Sequence, residues 1–191
     1  MDAIEAILTR PTVPQARMTG PGPDAAALER ILACGAAAPD HGKLAPWRFL
    51  VVRGDDRVAL GELFARAVLE ANPAAPAEEV EKQRASPLRA PVIVVVVARL
   101  DPAHPKIPVW EQRDSAAAAA QNILLAAHAL GFAGKWSTGK NATDPVIKAG
   151  LGVAPHEAIT GFLFLGSIEA PASPSRRPAL ASVVATWPRR D

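Results

Sequence analysis

Residues 91–98 read Pro-Val-Ile-Val-Val-Val-Val-Ala. Six β-branched side chains in succession, Val92 to Val97, crowd a helix and favour extended backbone. In a strand, neighbouring side chains point to opposite faces. An apolar residue at every position therefore requires both faces to be covered. Whatever this chain folds into must place a layer of apolar side chains above and below a central sheet. Residues 158–168, Ala-Ile-Thr-Gly-Phe-Leu-Phe-Leu-Gly-Ser-Ile, make a second buried strand, and Trp47–Val52 a third. With 191 residues, 49% of them hydrophobic and 21% charged, the chain can supply those layers as a single globular domain, 1–191.

The covering elements are legible too. Asp2 with Glu5 reads as a capping box opening a short helix to about Thr9. Asp24 caps a helix with Leu28, Ile31 and Leu32 on one face. Residues 55–71 and 76–86 read as helices, and a long Ala-rich helix runs from about Val109 to Leu130, stopped by Gly131. Residues 132–140 read as a short strand or extended turn, and 143–152 as a short helix with Pro145 in its first turn. Strands and helices mix without strict βαβ alternation, which predicts a three-layer α+β domain. Two stretches lack a core of their own: the Pro-rich segment 10–23 and an extended C-terminal arm, 172–191. Arms of this kind need something to pack against, and a homodimer is expected.

Several function classes are excluded or weakened. The net charge of +2 is scattered, unlike the clustered Lys/Arg of a nucleic-acid surface. The N-terminal stretch carries Asp2 and Glu5 and no apolar core, so it is not a signal peptide, and a cytoplasmic protein is expected. One cysteine, Cys34, allows no internal disulfide; on its helix it reads as a buried small residue. His41, His104, His128 and His156 have no metal-site spacing, so no metal is expected. No nucleophile elbow is present, and Ser137 has the wrong surroundings for one. Residues 134–140, Gly-Lys-Trp-Ser-Thr-Gly-Lys, match seven of the eight positions of a phosphate-binding P-loop, but Asn141 stands where Ser or Thr should hold Mg²⁺.

The remaining polar groups suit a phosphorylated flavin gripped by several short segments. Arg10 and Thr12 are spaced to hold one phosphate. The stretch Pro39-Asp40-His41-Gly42-Lys43 offers a ring donor and exposed amides near a helix end. Trp136, Ser137 and Thr138 set two hydroxyls beside an indole, and Arg176 and Arg177 add charge from the arm. Trp47 and Trp110 read as core or dimer packing, His128 as a satisfied core histidine, and Asp40 as a turn cap.

Five blocks together resemble the nitroreductase family of FMN-dependent oxidoreductases, especially its small NAD(P)H-dependent members: MDAIEAILTR at the start, APDHGKLAPWRF (38–49), QRASPLRAPVIVVVVA (83–98), the stretch from Lys106 to Gly139, and GFLFLGS (161–167). The likeness runs almost end to end. It implies a homodimer with a central mixed, mainly antiparallel sheet flanked by helices, and FMN sites shared between the two chains. It implies hydride from NADH or NADPH and a small nitroaromatic or quinone-like acceptor, used in alternation. The chemistry lies on flavin N5, with no catalytic side chain. Carried over residue by residue, the FMN contacts fall on Arg10, Pro11 and Thr12, on Ala37, His41 and Lys43, on Trp136, Ser137 and Thr138, and on Arg177. Relatives carry Arg where this chain has Pro11, Ala37 and Ser137; Lys43, Lys135 and the arm arginines are the cations available in exchange. Two further readings remain beside it: a flavin-binding relative without turnover, and a P-loop-like nucleotide hydrolase, tested through Lys140.

Overall fold

The computed structural model describes residues 1–173 and 175–187; Pro174 and the last four residues of the arm, 188–191, lie outside the described residues. Among the described residues, six α-helices and four strands follow one another as α1 (Ala3–Thr9), α2 (Ala25–Ala36), β1 (Trp47–Arg53), α3 (Asp56–Ala71), α4 (Ala77–Ala85), β2 (Val92–Arg99), α5 (Val109–Ala129), β3 (Ala133–Ser137), α6 (Pro145–Gly150) and β4 (Glu157–Gly166). The expected caps of the first two helices are in place, Asp2 accepting from the Glu5 amide and Asp24 from Ala27, and α6 is capped by Asp144, which accepts from Val146 and Ile147.

The sheet has the order β1-β2-β4-β3. Every pairing is antiparallel, which corrects the mixed sheet that the resemblance implied: no parallel pair forms among the described residues. Strand β2 lies between β1 and β4 and explains its own composition. Val92, Val94 and Val96 pack with Leu28 and Ile31 of α2 and with Ala120, Ile123, Leu124 and Ala127 of α5. Ile93, Val95 and Val97 pack on the opposite face with Leu60 and Phe64 of α3 and Ile147 of α6. Alternate residues thus enter two separate cores. Each fully buried Val or Ile contributes at most about 1.5–3 kcal/mol.

Between Val96 and Val97 the register against β4 shifts by one residue, leaving Thr160 as a bulge. Its freed carbonyl accepts the Trp136 indole N–H at 3.1 Å. The indole lies directly over Gly161, where any Cβ would collide with it. The bulge and the glycine together seat Trp136 between β4 and the α5 side of the sheet.

The segment 10–23 is not the loose arm that its prolines suggest. Val13 and Met18 are buried, the Val13 amide donates to Gly134 at 3.2 Å, and Thr19 bridges Ser167. The segment closes the edge of β3 within its own chain. In the C-terminal arm, Ala172 packs against the core of the α3 face, while Leu180, Val183, Val184 and Trp187 are exposed. Cys34 is exposed as well, not buried, with its carbonyl held by Asn122 at 3.1 Å.

Candidate functional site

The expected cofactor contacts assemble at the two ends of α5. At its C-terminal end, α1 hands over to Arg10, Pro11 and Thr12. The Arg177 guanidinium donates to the Arg10 carbonyl at 2.9 Å, and the Thr12 amide donates to Ser175 Oγ at 3.0 Å. The arm therefore folds back onto the loop that follows α1. Burial, and secondarily the charge of Arg177, holds the Arg10 guanidinium below its ordinary pKa. Among the described residues neither arginine forms an ion pair with a carboxylate. Two adjacent cations, one half-buried and neither neutralised, favour an anion as the missing partner. Lys135, on β3 beside this loop, donates to Gln15 at 2.5 Å.

His128 completes this end. The Thr9 hydroxyl donates to the Glu5 carbonyl at 2.6 Å, so its contact with His128 Nε2 at 3.0 Å must be one in which the ring nitrogen donates. Burial first, then the Arg10 charge, lowers the His128 pKa, against an opposing pull from Glu5. The core-histidine reading holds only in part: the ring is bonded, yet only half-buried.

At the N-terminal end of α5 stands the turn Asp40–Ala45. Gly42 has φ +72°, and a Cβ there would run into Ile107. Lys43 and Ala45 also lie in the left-handed region, at φ +56° and +44°, which costs a non-glycine residue about 1–3 kcal/mol. The turn is held there from several sides. Asp40 accepts from the Ala45 amide at 2.9 Å, and the Ala45 carbonyl receives Arg99 at 3.0 Å and the Trp47 amide at 2.7 Å. His41 and Lys43 are exposed, and His41 Nδ1 meets Glu111 Oε2 of α5 at 2.6 Å. Ala37 closes α2 just upstream and is exposed. Strain kept in place by this many ties is characteristic of ligand-binding segments.

The same end carries two buried polar ties that sequence reasoning did not find. Gln112, buried, accepts from the Asp101 amide and donates to the carbonyls of Asp101 and Ile107, fastening the segment before α5. Arg48 pairs with buried Glu157 through two bonds of 2.7 Å, donates to the Gly152 carbonyl, and Glu157 accepts from the Ala154 amide. The Arg48 hydrogen bond holds the Glu157 carboxyl down at about 2. The only advance signal was charge inside an otherwise apolar strand.

Trp136 lines an open cleft of about 660 Å³ with Val109, Arg113 and Ala117 of α5 and Ile159 of β4. Ser137 is half-exposed and Thr138 exposed at the end of β3, so both hydroxyls are available. The P-loop-like stretch is a strand over Gly134–Ser137, and α6 begins only at Pro145. Lys140 opens only a three-residue 3-10 turn, Lys140–Ala142, which is not the α-helix N-terminus that a phosphate-binding loop of this kind leads into.

Glu111 and His128 are 17 residues apart on α5, roughly 25 Å along its axis at the usual helical rise. The Arg10 group and the His41 group are therefore strung along the whole helix.

A family model described as "Nitroreductase family" matches residues 19–167. "Putative NAD(P)H nitroreductase YdjA" of Escherichia coli (strain K12) is 38% identical over 175 residues, covering 92% of this chain and 93% of that protein. A "Putative NAD(P)H nitroreductase" of Haemophilus influenzae is 34% identical over 87% of this chain and 89% of its own length. Among solved structures, "a putative nitroreductase in complex with fmn" from Desulfovibrio desulfuricans superposes with a TM-score of 0.72 at 26% identity, over 100% of this chain and 99% of that one. A nitroreductase-like family protein from Bacillus cereus superposes with a TM-score of 0.84 at 21% identity, over 99% and 97% of the two chains, a likeness of fold.

Proposed function

Since the chain belongs to the nitroreductase family, as its match over residues 19–167 and its relatives establish, we propose that it is an FMN-dependent oxidoreductase taking hydride from NAD(P)H. The observation that carries the reading is the Arg10–Arg177 pair, which has no carboxylate against it among the described residues and includes a residue of the block that the resemblance assigns to FMN. The donor set fits the rest of the cofactor: exposed hydroxyls at Ser137 and Thr138, a seated indole at Trp136, and a fixed turn bearing His41 and Lys43.

When bound, FMN supplies the redox chemistry, accepting hydride and passing electrons to a nitroaromatic or quinone-like acceptor in alternating turns. The chain's own groups bind and orient. Arg10, Arg177 and Thr12 would hold the phosphate and the near end of the ribityl chain, and the half-buried setting of Arg10 would strengthen that grip. His41, with Trp136, Ser137 and Thr138, would hold the ribityl chain and ring. Lys43 would supply the positive charge that favours a reduced, anionic flavin. Pro11 and Ala37 supply backbone where relatives carry Arg.

The site is completed by a second copy of the chain. Support comes from the spread of the contact groups along α5. It comes also from the apolar side chains left exposed: Ile4, Ile7 and Leu8 on α1, Trp110 on α5, and the arm from Leu180 to Trp187. The absorption spectrum of the purified protein, with mass analysis of what heat releases, tests the reading. Flavin bands and a mass matching FMN are expected, with bleaching on adding NAD(P)H. A colourless protein that refuses added FMN overturns it, and bound flavin that NAD(P)H cannot reduce leaves a binding relative without turnover.

A further inference from the structure

Glu111 is the third residue of α5, the position from which a glutamate ordinarily reaches back to the N-cap amide. Here the N-cap is Pro108, which has no N–H to offer. The carboxylate reaches across to the turn instead and meets His41 Nδ1 at 2.6 Å. Its backbone carbonyl is fixed separately by Ser115 Oγ at 2.9 Å, so the glutamate is held at its root as well as its tip. An ionised carboxylate can only accept a hydrogen bond, so this contact requires the hydrogen on Nδ1. Nε2 forms no hydrogen bond among the described residues, and the His41 side chain is 60% exposed. The ring is thus pinned on one side and open on the other. The strained backbone at Gly42, Lys43 and Ala45 fixes the turn that carries it.

We propose that Glu111 is a positioning residue for His41. It selects the Nδ1–H tautomer, locks the ring's rotation and leaves Nε2 as the atom presented to the cofactor. This rests on the FMN reading above and deepens it, because neither the family likeness nor the sequence spacing singles out Glu111. The two residues are 70 positions apart and meet only because the turn packs against the first turn of α5.

Long-range nitrogen–proton spectra of the cofactor-free protein, with His41→Gln to identify the ring signals, read the tautomer directly. Wild type is expected to carry hydrogen on Nδ1. Glu111→Gln, which keeps an acceptor, should retain that form, and Glu111→Ala should lose it. A wild-type ring protonated only at Nε2 overturns the proposal without reference to any variant. FMN titration gives the second readout. Glu111→Ala and His41→Gln should each weaken binding on the order of tenfold, and the double variant should bind no worse than His41→Gln alone. Losses that multiply, or a Glu111→Ala protein that binds like wild type, overturn the positioning role while the functional reading stands. A wild-type protein that binds no FMN overturns the functional reading, and the tautomer still reports whether Glu111 orients the ring.

Discussion

The two ends of α5 are built on opposite principles. The N-terminal end is finished: Gln112 has its partners, Arg48 and Glu157 neutralise each other, and the strained turn is tied from three sides. The C-terminal end is unfinished. Arg10, on the loop after α1, and Arg177, on the arm, have no carboxylate against them among the described residues, and His128 is held near Arg10 in a state that disfavours charge. One end spends its polar groups on shape, and the other keeps its charge for a ligand.

The comparison can be broken most severely at the finished end. Glu157 has a carboxyl pKa of about 2, against 4.5 ordinarily, because Arg48 bonds it. Removing its charge leaves Arg48 without its carboxylate at the end of the sheet. Glu157→Gln should cost on the order of 3 kcal/mol of stability, read by denaturant unfolding at pH 7. If the loss stays below ~1 kcal/mol, the pair behaves as a surface bridge and the end is less rigid than its geometry says.

At the unfinished end the expected effect is on binding. Arg10→Ala should weaken FMN by about a hundredfold, the scale of a lost charge-assisted contact, and leave the melting temperature of the cofactor-free protein unchanged or raised. The second half is diagnostic, because removing one of two unneutralised cations relieves repulsion. A variant that keeps full flavin places the phosphate elsewhere. Gly42→Ala is the counterpart at the turn. It meets both a left-handed backbone and Ile107, and should destabilise by roughly 1–3 kcal/mol.

How much of this was legible in the sequence follows from how local each feature is. Strand β2 announced itself because a strand buried on both faces has a composition that little else shares. The caps at Asp2 and Asp24 were equally local. Strand direction was not legible: the residues that pair between β2 and β4 are 58 to 73 positions apart, from Arg99↔Glu157 to Val92↔Leu165, and nothing short-range says that the strands run antiparallel. The segment 10–23 looked loose because its prolines dominate, while the two side chains that anchor it, Val13 and Met18, are isolated. Cys34 was misread for the reverse reason, since its helix position gives no hint that α1 leaves that face open. Arg10 and His41 were visible through their family blocks. Their supports were not, for Glu111, Gln112, Glu157 and His128 act through partners that only the folded chain brings near. Pro108 at the start of α5 was the one clue, a missing amide that frees Glu111.

The ends should also titrate apart, which gives the smallest effect and the cleanest separation. His128 has its pKa lowered in the folded chain, by burial first and Arg10 second. Between that lowered value and the ordinary ~6.5, the unfolded chain binds more protons than the folded one, so stability rises with pH. The wild-type protein should therefore lose stability as pH falls below ~6.5, and His128→Asn should lose less, a difference within ~0.5 kcal/mol. Glu157 works in a lower window. Its contribution is complete above 4.5 and disappears as pH falls towards its folded value of about 2. Denaturant unfolding of the cofactor-free protein from pH 8 to pH 3 should thus show two separate declines. His128→Asn should shrink only the upper one and Glu157→Gln only the lower. If His128→Asn leaves the upper decline intact, the proton uptake lies elsewhere, and the C-terminal end of α5 is less electrostatically strained than its arginines indicate.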